Sequence, residues 1–402
     1  MIYSCMKYSL AENHSGTRYK VPPLHHIIPR IHLLSYLKKR KDRKVFLIVG
    51  RAGQGKSALA ADFLTRNRLQ YTWLNLTGEE RDPKLLLECI VRGLTGKILG
   101  KNSSPAQPPL LGTVLNIIQE QTEGDHFIVF DNFQRVKSSR EIGEQVEQLI
   151  ALLPDRLHLI ILSREYPHLS LTKLRIVRDL VELRSDDLAF TEEEIHTLMQ
   201  SQCQINLNRA QMTGITGVCE DWVTAFISLI ELLDSRPQSE RNHLIERFIE
   251  QRKLPALDAF IEEEVFNPLS EIEKAVLTRL AGYNSIQALL ATRLIGEDGV
   301  TVLKKLIERN ILLRWVDESL TIFSFHPIFA TFLVEKFQAL PANEQTELHR
   351  RAAFYFQDYG DRDEAIHYFI LSGEYGKARD IFQEIAEDSL EQHKYDKIHE
   401  LL

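Results

Sequence analysis

The chain has 402 residues, enough for about two to four domains. Its 44% hydrophobic and 26% charged residues are ordinary for a soluble globular protein, and a net charge of −7 provides no global positive field toward nucleic acid or membrane. The four cysteines, Cys5, Cys89, Cys203 and Cys219, form no C-x-x-C pair and suit neither a zinc site nor a disulfide framework, which fits a reducing cytoplasm. No apolar run approaches the ~20 residues of a membrane helix, so no membrane partner is expected.

Residues 1–20 lack the apolar core of a signal peptide and read as a disordered lead-in. Prolines 22, 23 and 29 then mark an extended approach, and Ile31, Leu34 and Leu37 share one helical face. The basic run Lys38 to Lys44 carries no interleaved aromatics. It reads as a solvated helix end before a strand, with a nucleic-acid patch as the alternative.

From Lys44 to about Leu183 apolar strand runs alternate with helical stretches: KVFLIV (44–49), YTWLNL (71–76), HFIVF (126–130), LHLIILS (157–163) and LVEL (180–183). Near-continuous apolar runs of this length predict a parallel sheet covered on both faces, a doubly wound α/β domain over 21–185. Residues 186–258 then read as an all-helical domain. Thr191 caps a helix with Glu194 reaching back, Phe190 is placed to pack on Ile195, and Trp222, Phe226, Leu229 and Leu233 form one stripe.

Within 259–340, helices are expected near 270–280, 285–294 and 299–309, then a hairpin of ILLRWV and LTIFSF joined by DES, then a helix in PIFATFLVEKF. Three helices and a hairpin make a winged-helix pattern. Residues 341–402 read as helical hairpins ending at Gly360 and Gly373, with small residues Ala353, Ala365 and Ala378 where helices approach closely. This is the start of a tetratricopeptide-type solenoid. The sequence stops within a helical pattern, YDKIHELL, as a piece of a longer protein would.

The chemistry concentrates in Gly50, Arg51, Ala52, Gly53, Gln54, Gly55, Lys56, Ser57 and Ala58, which fit G-x-x-x-x-G-K-[ST] between a strand and a helix. The glycines let backbone N–H groups wrap a phosphate, Lys56 supplies a point charge, and Ser57 offers a hydroxyl to Mg²⁺. Asp131 ends the buried strand HFIVF and is the candidate to hold the Mg²⁺ water shell; capping a following helix is the plainer alternative. An extra strand is expected between the two phosphate strands, as in the ASCE type of P-loop NTPase. Arg164 at the exit of LHLIILS is a candidate γ-phosphate sensor, or else a surface arginine. His326, polar within an apolar run, needs a partner: a core hydrogen bond, or a bound diphosphate. No Ser-His-Asp signature, H-E-x-x-H or metal cluster is found.

The order of these parts resembles the signal-transduction ATPases with numerous domains, and within them the MalT-like branch of LuxR-type transcriptional regulators. The resemblance runs from about Pro22 to the end and is carried by PPLHHIIPR, GRAGQGKS, WLNLTGEERDP, VFDNFQRV, LHLIILSREYP, VELRSDDLAFTEEEI, TGVCEDWVTAF and FHPIFATFL. It implies a multidomain fold: an α/β P-loop NTPase core, an all-α lid, a winged helix and the start of a TPR-like solenoid. It also implies ATP or ADP with Mg²⁺, Ile28, Pro29 and Arg30 flanking the adenine, and His326 as the winged-helix contact to ADP. An inducer would bind the C-terminal repeats, self-association would follow activation, and DNA would be bound by a helix-turn-helix missing from this stretch. Two departures stand out. Asn132 follows Asp131 where the family often has a second acid, so hydrolysis is expected to be slow or to use another base such as Glu79 or Glu80. Trp222-Val223 stands where relatives often carry a proline near the adenine.

The resulting expectation is an ATP/ADP-gated cytoplasmic regulator with weak ATPase activity at most. A turnover P-loop ATPase or phosphotransferase is the alternative, and DNA reading by the winged helix a third reading.

Overall fold

The computed structural model describes residues 18–22, 28–95, 111–121, 124–137, 139–283, 286–317 and 319–391. The lead-in 1–17, His25, His26 and the terminal YDKIHELL therefore lie outside the described residues. The chain divides into two compact units, Met1–Ile249 and Glu250–Leu402.

The first unit opens with α1 (Ile31–Lys38) and is built on β1 (Val45–Val49), α2 (Lys56–Arg66), β2 (Gln70–Asn75), α3 (Pro83–Thr95), α4 (Leu111–Gln121), β3 (His126–Asp131), α5 (Arg140–Leu152), β4 (Leu157–Ser163), α6 (Thr172–Ile176) and β5 (Leu180–Leu183). The five strands are parallel in the order β2-β3-β4-β1-β5. The expected extra strand is thus β4, which sits between β1 and β3, while β2 lies at the edge.

β1 is apolar at every position because both of its faces are covered. Val45, Leu47 and Val49 point into a core with Leu86, Ile90 and Val146 from α3 and α5. Phe46 and Ile48 point the other way, against Leu33, Leu37, Leu59 and Phe63 from α1 and α2. Each such large side chain contributes about 1.5–3 kcal/mol on burial. The register pairs Val49 with Ser163 and Asn75 with Asp131, so Gly50, Asp131 and Arg164 all emerge at the carboxyl edge of the sheet. In an open parallel sheet ligands bind at that edge.

Beyond β5 the unit is helical: α7 (Ser185–Leu188), α8 (Glu192–Cys203), α9 (Arg209–Cys219), α10 (Val223–Asp234) and α11 (Gln238–Gln251). Thr191 and Glu194 form the expected capping box on α8, and Asn208 with Gln211 forms another on α9. Trp222, Phe226, Leu229 and Leu233 are buried as the stripe predicted, with Trp222 at the cap of α10 rather than inside it. The Phe190 ring lies 5.1 Å from Phe226, and Arg30 lies over its face.

The second unit contains α12 (Pro255–Phe260), a π-helical turn (Ile261–Phe266), α13 (Glu271–Leu280), β6 (Ile286–Gln287), α14 (Ala288–Glu308), β7 (Leu313–Trp315), β8 (Ile322–Phe325) and α15 (Pro327–Gln338). The expected helix near 285 begins at Ala288, because Ile286 and Gln287 pair antiparallel with β8. Gly296, at φ 73°, breaks α14 where the sequence reading ends one helix and starts the next. β7 and β8 form the wing, and Asp317 in its turn accepts from the amides of Thr321 and Ile322 at 2.9 and 2.6 Å. α16 (Ala342–Tyr359), α17 (Arg362–Leu371) and α18 (Tyr375–Glu391) follow as antiparallel hairpins, with Ala353, Ala365 and Ala378 buried. No helix among the described residues is long and apolar enough to cross a membrane.

Candidate functional site

The loop between β1 and α2 is the centre of the site. Gly53 and Gly55 hold φ of +73° and +76°, a backbone region that costs an L side chain roughly 1–2 kcal/mol. These turns let the loop fold back so that its amides precede the N-terminus of α2, a ready anion site. The Lys56 side chain is half-buried, and its Nζ donates to the carbonyls of Gly50 at 2.6 Å and Arg51 at 2.8 Å. Burial, reinforced by the positive charge of Arg164 and opposed by Asp131, pushes the Lys56 ammonium down to about 7. A cation held at this depth is poised to gain a polyphosphate as its counter-charge.

Asp131, at the end of β3, accepts from Ser57 Oγ at 3.0 Å and from the Asn132 amide at 2.9 Å. Burial raises its carboxyl above the usual carboxylate range, against the opposing pull of Ser57, Lys56, the Asn132 amide and Arg164. A hydroxyl and a carboxylate oxygen in contact form a hard oxygen donor set of the kind Mg²⁺ takes. The glycine-built cradle, the half-buried ammonium and this oxygen pair together fit a Mg²⁺-nucleotide.

Arg164 stands at the exit of β4. Its backbone N–H donates to Gln134 Oε1 at 3.0 Å, and its charge acts on both Lys56 and Asp131. Gln134 Nε2 in turn donates to Asn132 Oδ1 at 3.1 Å, and Asn132 Nδ2 donates to Asn75 Oδ1 at 2.8 Å. A chain of neutral amides therefore runs along the carboxyl edge of β2, β3 and β4. Glu80 is fully buried, accepting from the Thr77 amide at 2.9 Å and the Gly78 amide at 3.2 Å, and paired with Arg18 at 2.9 Å. Glu79 pairs with Arg18 at 2.6 Å. Both candidate bases are thus engaged in holding the turn after β2.

The helical part grips the same loop through the short segment between α9 and α10. Trp222 Nε1 donates to the Ala52 carbonyl at 2.9 Å, and Thr224 Oγ1 to the Gly53 carbonyl at 2.6 Å. Gln54 Nε2 donates to the Asp221 carbonyl at 2.6 Å, while Gln54 Oε1 accepts from the Arg51 amide at 3.0 Å. Arg51 Nη1 and Asp221 Oδ1 form an ion pair at 2.6 Å. Asp221 and Thr224 carry no local signature of this role. Their partners lie about 170 positions away in the chain, and only the presence of two polar residues around Trp222 at a helix start hinted at it.

Arg30 is buried. Its guanidinium donates to the Leu188 carbonyl at 2.6 Å, to the Ala189 carbonyl and to Glu194 at 3.1 Å. Ile28 is half-buried and Pro29 exposed. His326 belongs to the second unit, where it is 2% exposed and caps α15, its Nδ1 accepting from the Ile328 amide at 3.3 Å.

A parallel sheet with β4 inserted between β1 and β3, and a G-x-x-x-x-G-K-S loop at the end of β1, define a P-loop NTPase fold. A family model of the AAA domain matches residues 39–169, and one of the MalT winged helix domain matches residues 262–346. The chain resembles MalT-type regulators over nearly its whole length. It is 28% identical over 368 residues to the HTH-type transcriptional regulator MalT of Yersinia pestis (strain Pestoides F), covering 89% of this chain and 40% of that protein. The same figures hold for MalT of Yersinia enterocolitica serotype O:8. The chain thus spans about two fifths of the length of the curated relatives it matches. Among solved structures, the Walker-type ATPase PABY2304 of Pyrococcus abyssi shares the fold, at TM-score 0.51 and 16% identity, covering 79% of this chain and 98% of that one.

Proposed function

We propose that this chain is an ATP/ADP-binding switch of a MalT-like transcriptional regulator, in which nucleotide state sets how the helical parts dock and hydrolysis is slow. The observation that carries it is the seam between loop and lid: the carbonyls of Ala52 and Gly53 and the side chains of Arg51 and Gln54 are all bonded to residues 221–224. The shape of the phosphate loop and the seating of the lid are therefore one equilibrium. Moving such an equilibrium from 1:99 to 99:1 takes about 5.5 kcal/mol of differential binding.

Gly50 to Ala58 would hold the phosphates with backbone amides and Lys56. Ser57 and Asp131 would hold Mg²⁺, which when bound neutralises phosphate charge. Arg164 would report on the γ-phosphate, and Ile28 to Arg30 would flank the adenine with Arg30 as its brace. His326 carries over from the sequence resemblance as a diphosphate contact, to be tested by its own substitution. The amide at Asn132 supports slow hydrolysis, because it cannot take a proton from water as a carboxylate does. Inducer binding by the C-terminal helices, self-association on activation, DNA binding by a further domain and a cytoplasmic location complete the proposal.

The test is to denature purified protein and identify the released nucleotide by chromatography, beside Lys56→Ala. Bound ADP in the wild type and none in the variant supports the reading. Nucleotide retained by Lys56→Ala overturns it, and steady-state hydrolysis above ~1 s⁻¹ without partners favours the turnover enzyme.

A further inference from the structure

The phosphate loop carries a second cation besides Lys56, and its counter-ion comes from outside the loop. Arg51 is 7% exposed and its Nη1 lies 2.6 Å from Asp221 Oδ1. The second carboxylate oxygen, Oδ2, lies 3.5 Å from Gln54 Nε2, and the Asp221 carbonyl accepts from the same nitrogen at 2.6 Å. Arg51 Nε is buried without a hydrogen-bond acceptor. The carboxylate has little freedom to leave, because its neighbours Trp222 and Thr224 are tied to the Ala52 and Gly53 carbonyls.

We infer that Asp221 is a specificity-determining residue of the cradle, which biases it toward a nucleoside diphosphate and against the triphosphate; this rests on the nucleotide-binding reading above. The reasoning is electrostatic. Lys56, Arg51 and Arg164 are three cations of the loop and its rim, and their summed field would favour the ligand of greater negative charge. Asp221 cancels one of them at a partly buried site, where charges are screened less than at the surface. The acid therefore weakens binding of the triphosphate more than binding of the diphosphate. It is also part of the lid, so the same residue ties diphosphate preference to the seated lid.

The experiment uses the full chain stripped of nucleotide. Dissociation constants for ADP and for a non-hydrolysable ATP analogue are measured by calorimetry for wild type, Asp221→Asn, Asp221→Glu, Arg51→Gln and Lys56→Ala. Asp221→Asn should shift the ratio of the two constants toward the triphosphate by about tenfold, within the usual range of coupling between sites. Asp221→Glu, which keeps the charge, should hold the wild-type ratio. Arg51→Gln should shift the ratio toward the diphosphate, and it stands as the test if Asp221→Asn does not fold. An unchanged ratio in Asp221→Asn, or in Arg51→Gln in its place, overturns the inference even where Lys56→Ala loses both nucleotides. Full binding by Lys56→Ala would instead strike the underlying nucleotide reading.

Discussion

Lys56 shows at the scale of one residue how the fold shifts a half-buried charge. Its ammonium is pushed from 10.5 down to about 7, chiefly by burial. The sign follows from linkage: between those two values the unfolded chain binds the proton that the folded chain has lost, so stability of nucleotide-free protein rises with pH across that window. Below about 7 the destabilisation is constant and largest. Lys56→Met, stripped of nucleotide, should therefore melt above the wild type at pH 7.5, with the gap narrowing toward pH 10. A gap that does not close in thermal melts would show that the lysine is not depressed. Asn132 offers a second test. It sits in the left-handed region at φ 60°, which Asp tolerates, and bonds Asn75 and Gln134. In Asn132→Asp the Asn75 amide has only to flip, and the new carboxylate should raise hydrolysis by about a hundredfold in a phosphate-release assay, the low side of general-base gains.

At the scale of elements, local chemistry was legible and long-range pairing was not. The strands were readable because burial on both faces leaves no polar position in runs such as Val45–Val49. The cap at Thr191 was readable because its partner Glu194 lies within one turn. Asp131 and Lys56 could be placed at one edge because each ends or follows a strand of the same parallel sheet. The bond from Thr224 to Gly53 could not be read, since it depends on how the lid folds over the loop rather than on any neighbour in sequence. Thr224→Val keeps the shape and removes the hydroxyl, leaving the Gly53 carbonyl without that donor. Stability should fall by about 1 kcal/mol, and a fluorescent ADP analogue should leave several-fold faster in stopped flow. Unchanged release would mean the seam does not govern nucleotide exchange.

At the scale of the whole molecule, the chain folds as two compact units, with the phosphate cradle in the first and the winged helix and helical hairpins in the second. If nucleotide identity controls assembly, the protein with ADP should elute from gel filtration as a monomer, and with an ATP analogue as a larger species. Identical elution in both states would separate nucleotide binding from assembly. The position of Arg30 bears on how such a molecule is dissected. It precedes the first helix, yet its guanidinium satisfies two carbonyls, of Leu188 and Ala189, where the chain passes from sheet to helices. A recombinant fragment begun at Ile31 would therefore expose a wound at the far end of the nucleotide module, and boundaries for expression belong upstream of that arginine.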